Sequence, residues 1–578
     1  MRYIYIRWRM YMNTIYLSDN QIVMNYNRMY PKNRDTLLKS DTFRFVLEYF
    51  MDEIQNPTIL KYLTIDNSIN IHQASKDMSH FLRQLAIFEL DEIDHPYAKD
   101  PDMLLTCIEE MYKFWRNRSR FAFMKSQNME SFGVNTLVGM DSNVNSLILR
   151  TYRLFEEKVQ GRSNSVYRNA QAGTNACFSI YQRDKKFSKG YEALQEIPMI
   201  DTVMLRTPMI LHPKSSKRTG VINQIHQNPM EYFTGSKDNW FCYPCKVGSL
   251  LCFTYFNIKY MPLALSLANL FELATKDEIE QKPDLICIIG NEDGKNETQF
   301  YHDEENDIWL GCVSDDPRMD YFGYLKKMML TLHNVRKMHD GWLPIHGAFV
   351  KVVMRDGSSK NIMLMGDSGA GKSESIEALK SAGKDYIRDV QVIFDDMGTI
   401  HIENGIPYGQ GTEIGAFIRL DDLEPGTPYR DMDRSVFMAP ENPNSRMVTP
   451  ASPYKFIVQN HKIDLFAYAN NYTDKYGLAE LSVEEVKETC KLGKRMALGT
   501  TQEVGISTTY FANPFGPMQM EDVCEPLIDK TFRCLKENGV FTGEIYTHLG
   551  FSRENRKGLN VAAQELLEFI TKDIQTNK

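Results

Sequence analysis

Residues 366–373 read Gly-Asp-Ser-Gly-Ala-Gly-Lys-Ser, and they constrain the fold of this chain more than any other stretch. The five residues before them, 361–365 (NIMLM), have the apolar pattern of a buried strand, and Glu374–Ala382 reads as a helix. Gly366, Gly369 and Gly371 let the backbone turn tightly between the two, so that successive N–H groups point at a common centre. The start of the helix adds partial positive charge there. Strand, glycine loop and helix in that order predict an α/β layer with an anion cradle at 366–373. Asp367, Ser368 and Ala370 complete the loop, Lys372 reaches toward β/γ-phosphates, and the Ser373 hydroxyl ligates an accompanying divalent ion. A chance match to this spacing turns up in roughly 2% of chains this long, and the flanking elements lower that further.

A second run, 389–397 (DVQVIFDDM), predicts a strand ending in Asp395 and Asp396. Such a pair is ordinarily a solvated strand end. Two dozen residues downstream of a phosphate loop, it is positioned to hold a metal or to polarise a nucleophile.

The net charge of −8 argues against a broad nucleic-acid surface, which needs clustered Lys and Arg, and points to a small anion held locally. No apolar run approaches the roughly 18–20 residues that span a bilayer, so no membrane partner is expected. Ten Cys without dense spacing predict reduced thiols and a cytoplasmic protein. The pair Cys242 and Cys245 (CYPC) has the spacing of half a zinc site or a redox dithiol, but no second pair follows, and plain packing is the expectation. The basic, aromatic first residues lack a signal-peptide core, and Met12 is an alternative start to Met1.

At 578 residues more than one core is expected. Residues 1–160 read mainly helical, with apolar positions three and four apart in Thr42–Met51 and Asp102–Trp115. Residues 161–335 read as an α/β domain containing strands at 199–205 and 249–256, and 336–578 as the phosphate-loop domain. The apolar run 262–274 predicts a core helix.

The loop GDSGAGKSE followed by a strand and a double aspartate resembles two related families, the HPr kinase/phosphorylases and the phosphoenolpyruvate carboxykinases. The stretch 343–352 (LPIHGAFVKV) and the Ser373–Glu374 pair look more like the first. Residues 321–346, of the form YxGxxKKxMxxxxN…H, resemble the second. There the resemblance implies that Lys327, His346 and Asp396 ligate Mn²⁺ and that Tyr321 lies near the substrate. Three further segments agree. YGQGTEIGAFIRLDDLEP (408–425) offers Arg419 where the carboxykinases have a phosphate-contacting lysine, ENPNSRMVTP (441–450) is similar to the segment whose asparagine and arginine, here Asn444 and Arg446, meet substrate and phosphoryl group, and 499–516 resembles a GTE…FG loop. A fainter likeness near 166–176 implies Arg168 as a carboxylate-binding arginine.

The carboxykinase resemblance implies a two-domain α/β fold with a P-loop mononucleotide-binding domain, joined here to a helical N-terminal region. It implies oxaloacetate and phosphoenolpyruvate as small-molecule substrates, Mn²⁺ and Mg²⁺ as cofactors, and ATP, or else GTP or pyrophosphate, as phosphoryl donor. Lys327, Lys372, Asp395, Asp396 and Arg446 become the catalytic set. Two readings stand beside it: a protein serine kinase using one aspartate of the pair as base, and a nucleotide-binding regulator without turnover. Outside that context His346 would be a core histidine, Lys326 and Lys327 solvated helix charges, and Arg446 the partner of a nearby acid.

Overall fold

The computed structural model describes residues 14–126, 134–420, 431–442, 444–498, 504–551 and 556–575. The possible starts at Met1 and Met12, residues 421–425 after Arg419, and 499–503 of the later loop lie outside the described residues. The chain is a mixed α/β protein that divides into two compact units. One comprises Met1–Gln182 with Pro198–Met209 and Lys237–Asn239; the other comprises Arg183–Ile197, Ile210–Ser236 and Trp240–Lys578. The first break thus follows residue 182 rather than 160, and the expected boundary at 335 falls inside the larger unit.

In the first unit the helices Asp41–Glu53, Ile71–Leu85 and Pro101–Arg116 bury Leu47, Phe81, Leu82 and Leu104 in one cluster. Their starts are fixed locally. Ser40 and Asp100 accept hydrogen bonds from the third residues of their helices, and Pro101 occupies the first turn, where its missing N–H costs nothing. The strands Ile15–Leu17, Gln21–Asn25, Ser119–Lys125, Ala176–Tyr181 and Met199–Leu205 run side by side in that order. Those at 15–17, 21–25 and 119–125 fall within the segment that the sequence predicts to be mainly helical.

The larger unit contains the helix Phe322–His339, whose side chains are buried nearly all round. It packs against Leu285–Asn291 and Ile308–Ser314 of one sheet and against Leu343–Met354 and Ile387–Glu403 of another. A helix walled in on every side brings its polar residues inside as well, here Lys326, His333, Asn334 and Lys337. The second sheet has the order His461–Lys462, Ile406–Gly411, Ile387–Glu403, Leu343–Met354, Ser359–Met365, Leu465–Asn470, Phe541–Tyr546, Gly477–Glu480. Ser359–Met365 is parallel to Leu465–Asn470 and antiparallel to Leu343–Met354. The loop 366–371 therefore leaves the sheet where strand direction changes, at the carboxyl end of a parallel pair, the usual place for a ligand in such sheets. The helices Lys372–Ala382 and Lys557–Gln575 cover this part through Leu379, Leu566 and Ile570 on Val350, Leu364 and Leu465.

Two sequence expectations change, and the plain packing expected of the CYPC pair holds. The run 262–274 is core, but it is a helix only over Met261–Leu265, then a 3-10 turn Ser266–Asn269 and a short strand Glu272–Leu273. Asn269 donates to the backbone carbonyls of Arg434 and Val448, and these tertiary bonds replace helix continuation. The double aspartate lies in the middle of the seventeen-residue strand Ile387–Glu403, not at its end. Cys242 and Cys245 are buried in the strand Trp240–Val247, where a spacing of three sends side chains to opposite faces, so they form no half of a zinc site. Among the described residues no helix is long and apolar enough to cross a membrane.

Candidate functional site

The phosphate loop is held from behind by four side chains. Lys372 Nζ donates to the carbonyl of Asp367 at 3.0 Å, Arg495 to that of Ser368 at 2.7 Å, Asn471 to that of Gly369 at 3.0 Å and Thr547 to that of Ala370 at 2.9 Å. Asn471 and Thr547 directly follow the strands Leu465–Asn470 and Phe541–Tyr546, so the parallel pair anchors the loop it supports. With four consecutive carbonyls tied to the protein, and the N–H groups of Gly366, Ser368 and Ala370 bonded to the His346 carbonyl, the Asp367 carboxylate and the Asp367 carbonyl, an anion would meet the N–H groups of Gly369, Gly371 and the helix start. Gly371 has φ +97°, and a Cβ there would meet Thr547 at 2.7 Å, so only glycine fits. It is the residue before the first turn of Lys372–Ala382.

The two aspartates, adjacent in one strand, take different partners. Asp395 accepts a hydrogen bond from Ser373 at 2.7 Å, and burial raises its pKa against the lowering effect of that bond. Asp396 receives Lys326 at 2.7 Å and Lys327 at 2.6 Å on one oxygen and faces His346 Nε2 at 3.2 Å with the other. Burial alone would raise the Asp396 pKa; Lys326, Lys327 and His346 more than offset it and hold the carboxyl well below the usual range. The neighbouring lysines diverge. Lys326, almost wholly buried, also reaches Glu413 at 2.8 Å, and two carboxylates outweigh burial to raise its pKa. Lys327 is lowered, because its burial outweighs the attraction of Asp396 and Lys326 repels it. Glu413 is pushed up to about 7, by burial first, against the pull of Lys326.

Lys327 and His346, expected with Asp396 as ligands of one ion, both face that carboxylate, one at each oxygen, and an amine, an imidazole and a carboxylate are donors that a divalent cation takes. The Nδ1 of His346 lies 2.7 Å from the Ala512 carbonyl, which can only accept, so this nitrogen carries the hydrogen. Its Nε2, turned to a carboxylate, is left for a second proton or a metal, the arrangement that orients ligating histidines. Of the two lysines Lys327 is the one whose pKa burial lowers, which moves it toward the amine form that has a lone pair to give. Among the described residues no group of three or more His, Cys, Asp and Glu is disposed to hold a metal, so the expected set depends on its lysine.

These groups line one cavity of about 600 Å³ together with Tyr321, Ser368, Gly369, Lys372, Phe417, Arg419, Asn444, Arg446 and Phe515, all in the larger unit. Arg419 and Arg446 stand directly opposite each other on the antiparallel strands Gly415–Arg419 and Arg446–Pro450. The Arg446 guanidinium lies 5.3 Å from the Phe417 ring centre, and its buried Nε has no partner among the described residues. Asn444 donates to the Ser216 carbonyl and so fastens loop 214–220 to the cavity wall. Tyr321, buried at the start of the lysine helix, packs near Phe417.

Arg168, expected to bind a carboxylate, does not line this cavity. It is exposed in the first unit, where its carbonyl accepts from Arg153. The cavity instead holds Arg218, which the sequence reading passed over. Its guanidinium lies 5.2 Å from the Phe515 ring centre, donates to the Gly220 carbonyl at 2.6 Å, and has its pKa lowered by burial. The signal was the basic cluster Lys214, Lys217, Arg218 in a Ser- and Gly-containing loop, but nothing local says where such a loop lies. Lys326 and Glu413 were likewise not assigned to the site. No protein-family model matches the chain, and no curated protein matches it in sequence.

Proposed function

We propose that this protein is a phosphoenolpyruvate carboxykinase-like enzyme that turns oxaloacetate and a nucleoside triphosphate, ATP most readily, into phosphoenolpyruvate, CO₂ and the diphosphate. The observation that carries the reading is the meeting, in one cavity, of a pinned phosphate loop, the Lys327–His346–Asp396 cluster and the arginines Arg218, Arg419 and Arg446. A nucleotide-binding regulator needs the first of these only. A protein serine kinase needs the loop and one aspartate, and has no use for a buried lysine of lowered pKa beside a histidine.

In the proposed reaction the C–C bond to the departing carboxylate breaks and its electron pair stays on the pyruvate enolate. The enolate oxygen then attacks the γ-phosphorus as the bond to the β–γ bridging oxygen breaks, and no net proton is needed. Divalent ions, held by Lys327, His346 and Asp396 and by Ser373, would supply charge stabilisation to the enolate and the polyphosphate. The chain's own residues do the rest. Arg218 and Tyr321 orient the keto acid, Arg446 and Arg419 meet the phosphoryl oxygens, and Lys372 with the loop N–H groups holds the donor in line. Lys326, kept cationic between Asp396 and Glu413, holds Asp396 ionised and in place. The fold reading that accompanies this is a carboxykinase-like P-loop domain, and the setting is the cytoplasm.

Purified protein assayed with oxaloacetate, Mn²⁺ and Mg²⁺ against ATP, GTP and pyrophosphate tests the proposal. Stoichiometric phosphoenolpyruvate and CO₂ with one donor is the expected result. Phosphate transfer to a protein serine with no response to oxaloacetate would replace it by the kinase reading.

A further inference from the structure

Arg218 reaches the phosphate-loop cavity from a stretch that is neither helix nor strand. Between Met209–Leu211 and Asn223–Gln224 the chain forms no regular element, yet Ser216, Lys217, Arg218 and Thr219 line the cavity in succession. Such a stretch has no ladder of backbone hydrogen bonds to hold it, while an arginine that orients a substrate has to be held closely.

The anchors lie on either side of the start of the helix Phe322–His339. Asp320 accepts from the Lys214 N–H at 3.0 Å through its carboxylate and from the Ser215 N–H at 3.1 Å through its carbonyl. Tyr324 holds the other end. Its side chain is 1% exposed, and its hydroxyl accepts from the Thr219 N–H at 3.0 Å and donates to the Thr219 carbonyl at 3.3 Å. One hydroxyl therefore engages both backbone groups of the residue that directly follows Arg218. Tyr324 itself does not line the cavity. It precedes Lys327 by three residues, so the two lie one above the other on the same side of the helix. The element that sets Lys327 against Asp396 thus also sets Arg218. The Phe515 ring joins the two, 4.5 Å from Lys327 Nζ and 5.2 Å from the Arg218 guanidinium.

We propose that Tyr324 is a positioning residue for the keto acid, fixing the span between the carboxylate-gripping Arg218 and the cation point at Lys327 without touching substrate. The proposal rests on the carboxykinase-like reading for the identity of the anion, and goes beyond it in naming the group that sets the span.

Calorimetry of the full-length protein with oxalate in the presence of Mn²⁺, with ATP as a second probe, tests it beside steady-state kinetics on oxaloacetate. Tyr324→Phe removes one oxygen and keeps the buried ring. Thr219 is exposed, so its freed backbone groups turn to water and the loop loosens without unfolding the unit, which an unchanged melting temperature checks. Oxalate affinity should fall about five- to tenfold and KM for oxaloacetate rise by the same factor, with kcat and ATP affinity within about twofold of wild type. Arg218→Ala should lose at least about tenfold in oxalate affinity, and adding Tyr324→Phe to it should cost nothing more, because the hydroxyl acts through the arginine. Unchanged oxalate affinity in Tyr324→Phe, additive losses in the double variant, an equal loss of ATP affinity, or no oxalate binding to wild type overturns the proposal. Oxalate binding that follows the expected pattern, without phosphoenolpyruvate formed from oxaloacetate, counts against the carboxykinase reading alone and supports Tyr324 as the anchor of an anion clamp.

Discussion

Arg446 and Lys327 show what single side chains contribute in a crowded charged cavity. Arg446→Lys conserves charge but loses the planar fork, and a point ammonium cannot both face Arg419 and grip a phosphoryl group through two bonds. The variant is expected to fall at least about tenfold in kcat/KM for oxaloacetate, more than about 1.4 kcal/mol of transition-state stabilisation, with its melting temperature little changed. Steady-state kinetics check this, and unchanged oxaloacetate kinetics remove Arg446 from the site. Lys327→Met keeps most of the volume and removes the amine that faces Asp396 at 2.6 Å. Mn²⁺ affinity and oxaloacetate turnover should drop together, while nucleotide binding at the loop, read by calorimetry, survives. At this scale the loop and the aspartate pair are legible from local spacing, whereas Lys327 and His346 come only from the carboxykinase resemblance, since locally they read as a solvated helix charge and a core histidine. Arg218 was not legible, because a lone arginine in a loop has no periodicity or spacing to mark it, and Arg168 was preferred in its stead on a faint likeness.

Among the elements, the helix Phe322–His339 has consequences beyond the lysines it presents. His333 is buried in it with Nδ1 3.2 Å from Asn334 Oδ1. Burial, helped by the charge of Lys337 and opposed by Asn334, pushes its pKa down to about 3. Between about pH 6.5 and 3 the unfolded chain therefore binds a proton that the folded chain refuses, so stability rises with pH across that window and is lost on acidification. This group contributes about 1.4 kcal/mol per pH unit inside the window. His333→Gln should be less stable than wild type at pH 7, with the gap closing between pH 6.5 and 5; denaturant midpoints measured across that range check it, and a constant gap counts against a neutral buried histidine. The all-round burial of this helix depends on two sheets that come from distant segments, which nothing local in its sequence shows. The strand Ile387–Glu403 was read at half its length for a similar reason. Gly398 reads as a breaker, yet it is a paired position facing Gly411 on the next strand.

For the whole molecule, the class of fold followed from the order of apolar runs and loops, whereas the division into units did not, since segments 183–197 and 198–209 alternate between them. The cysteines offer a global test. All ten are free and buried, and burial raises thiol pKa values, that of Cys107 and of Cys524 to about 12. Native protein at pH 8 should react with less than one equivalent of a thiol reagent in the first minutes, and all ten should react after denaturation. Rapid native labelling of several thiols would show that cores open on that timescale.

The four side chains that grip the phosphate loop from behind bear on the entropy of ligand capture. Fixing a backbone residue costs about 1–2 kcal/mol, and here that cost falls on folding and not on the arrival of a polyphosphate. Asn471 and Thr547 touch no phosphate position, yet they decide when the loop loses its freedom. Asn471→Ala should accordingly weaken nucleotide binding by about five- to tenfold, with a more negative binding entropy and little change in enthalpy by calorimetry. A loop seated in advance leaves closure over the substrate to other parts of the chain, so the seat itself stays as rigid when empty as when filled.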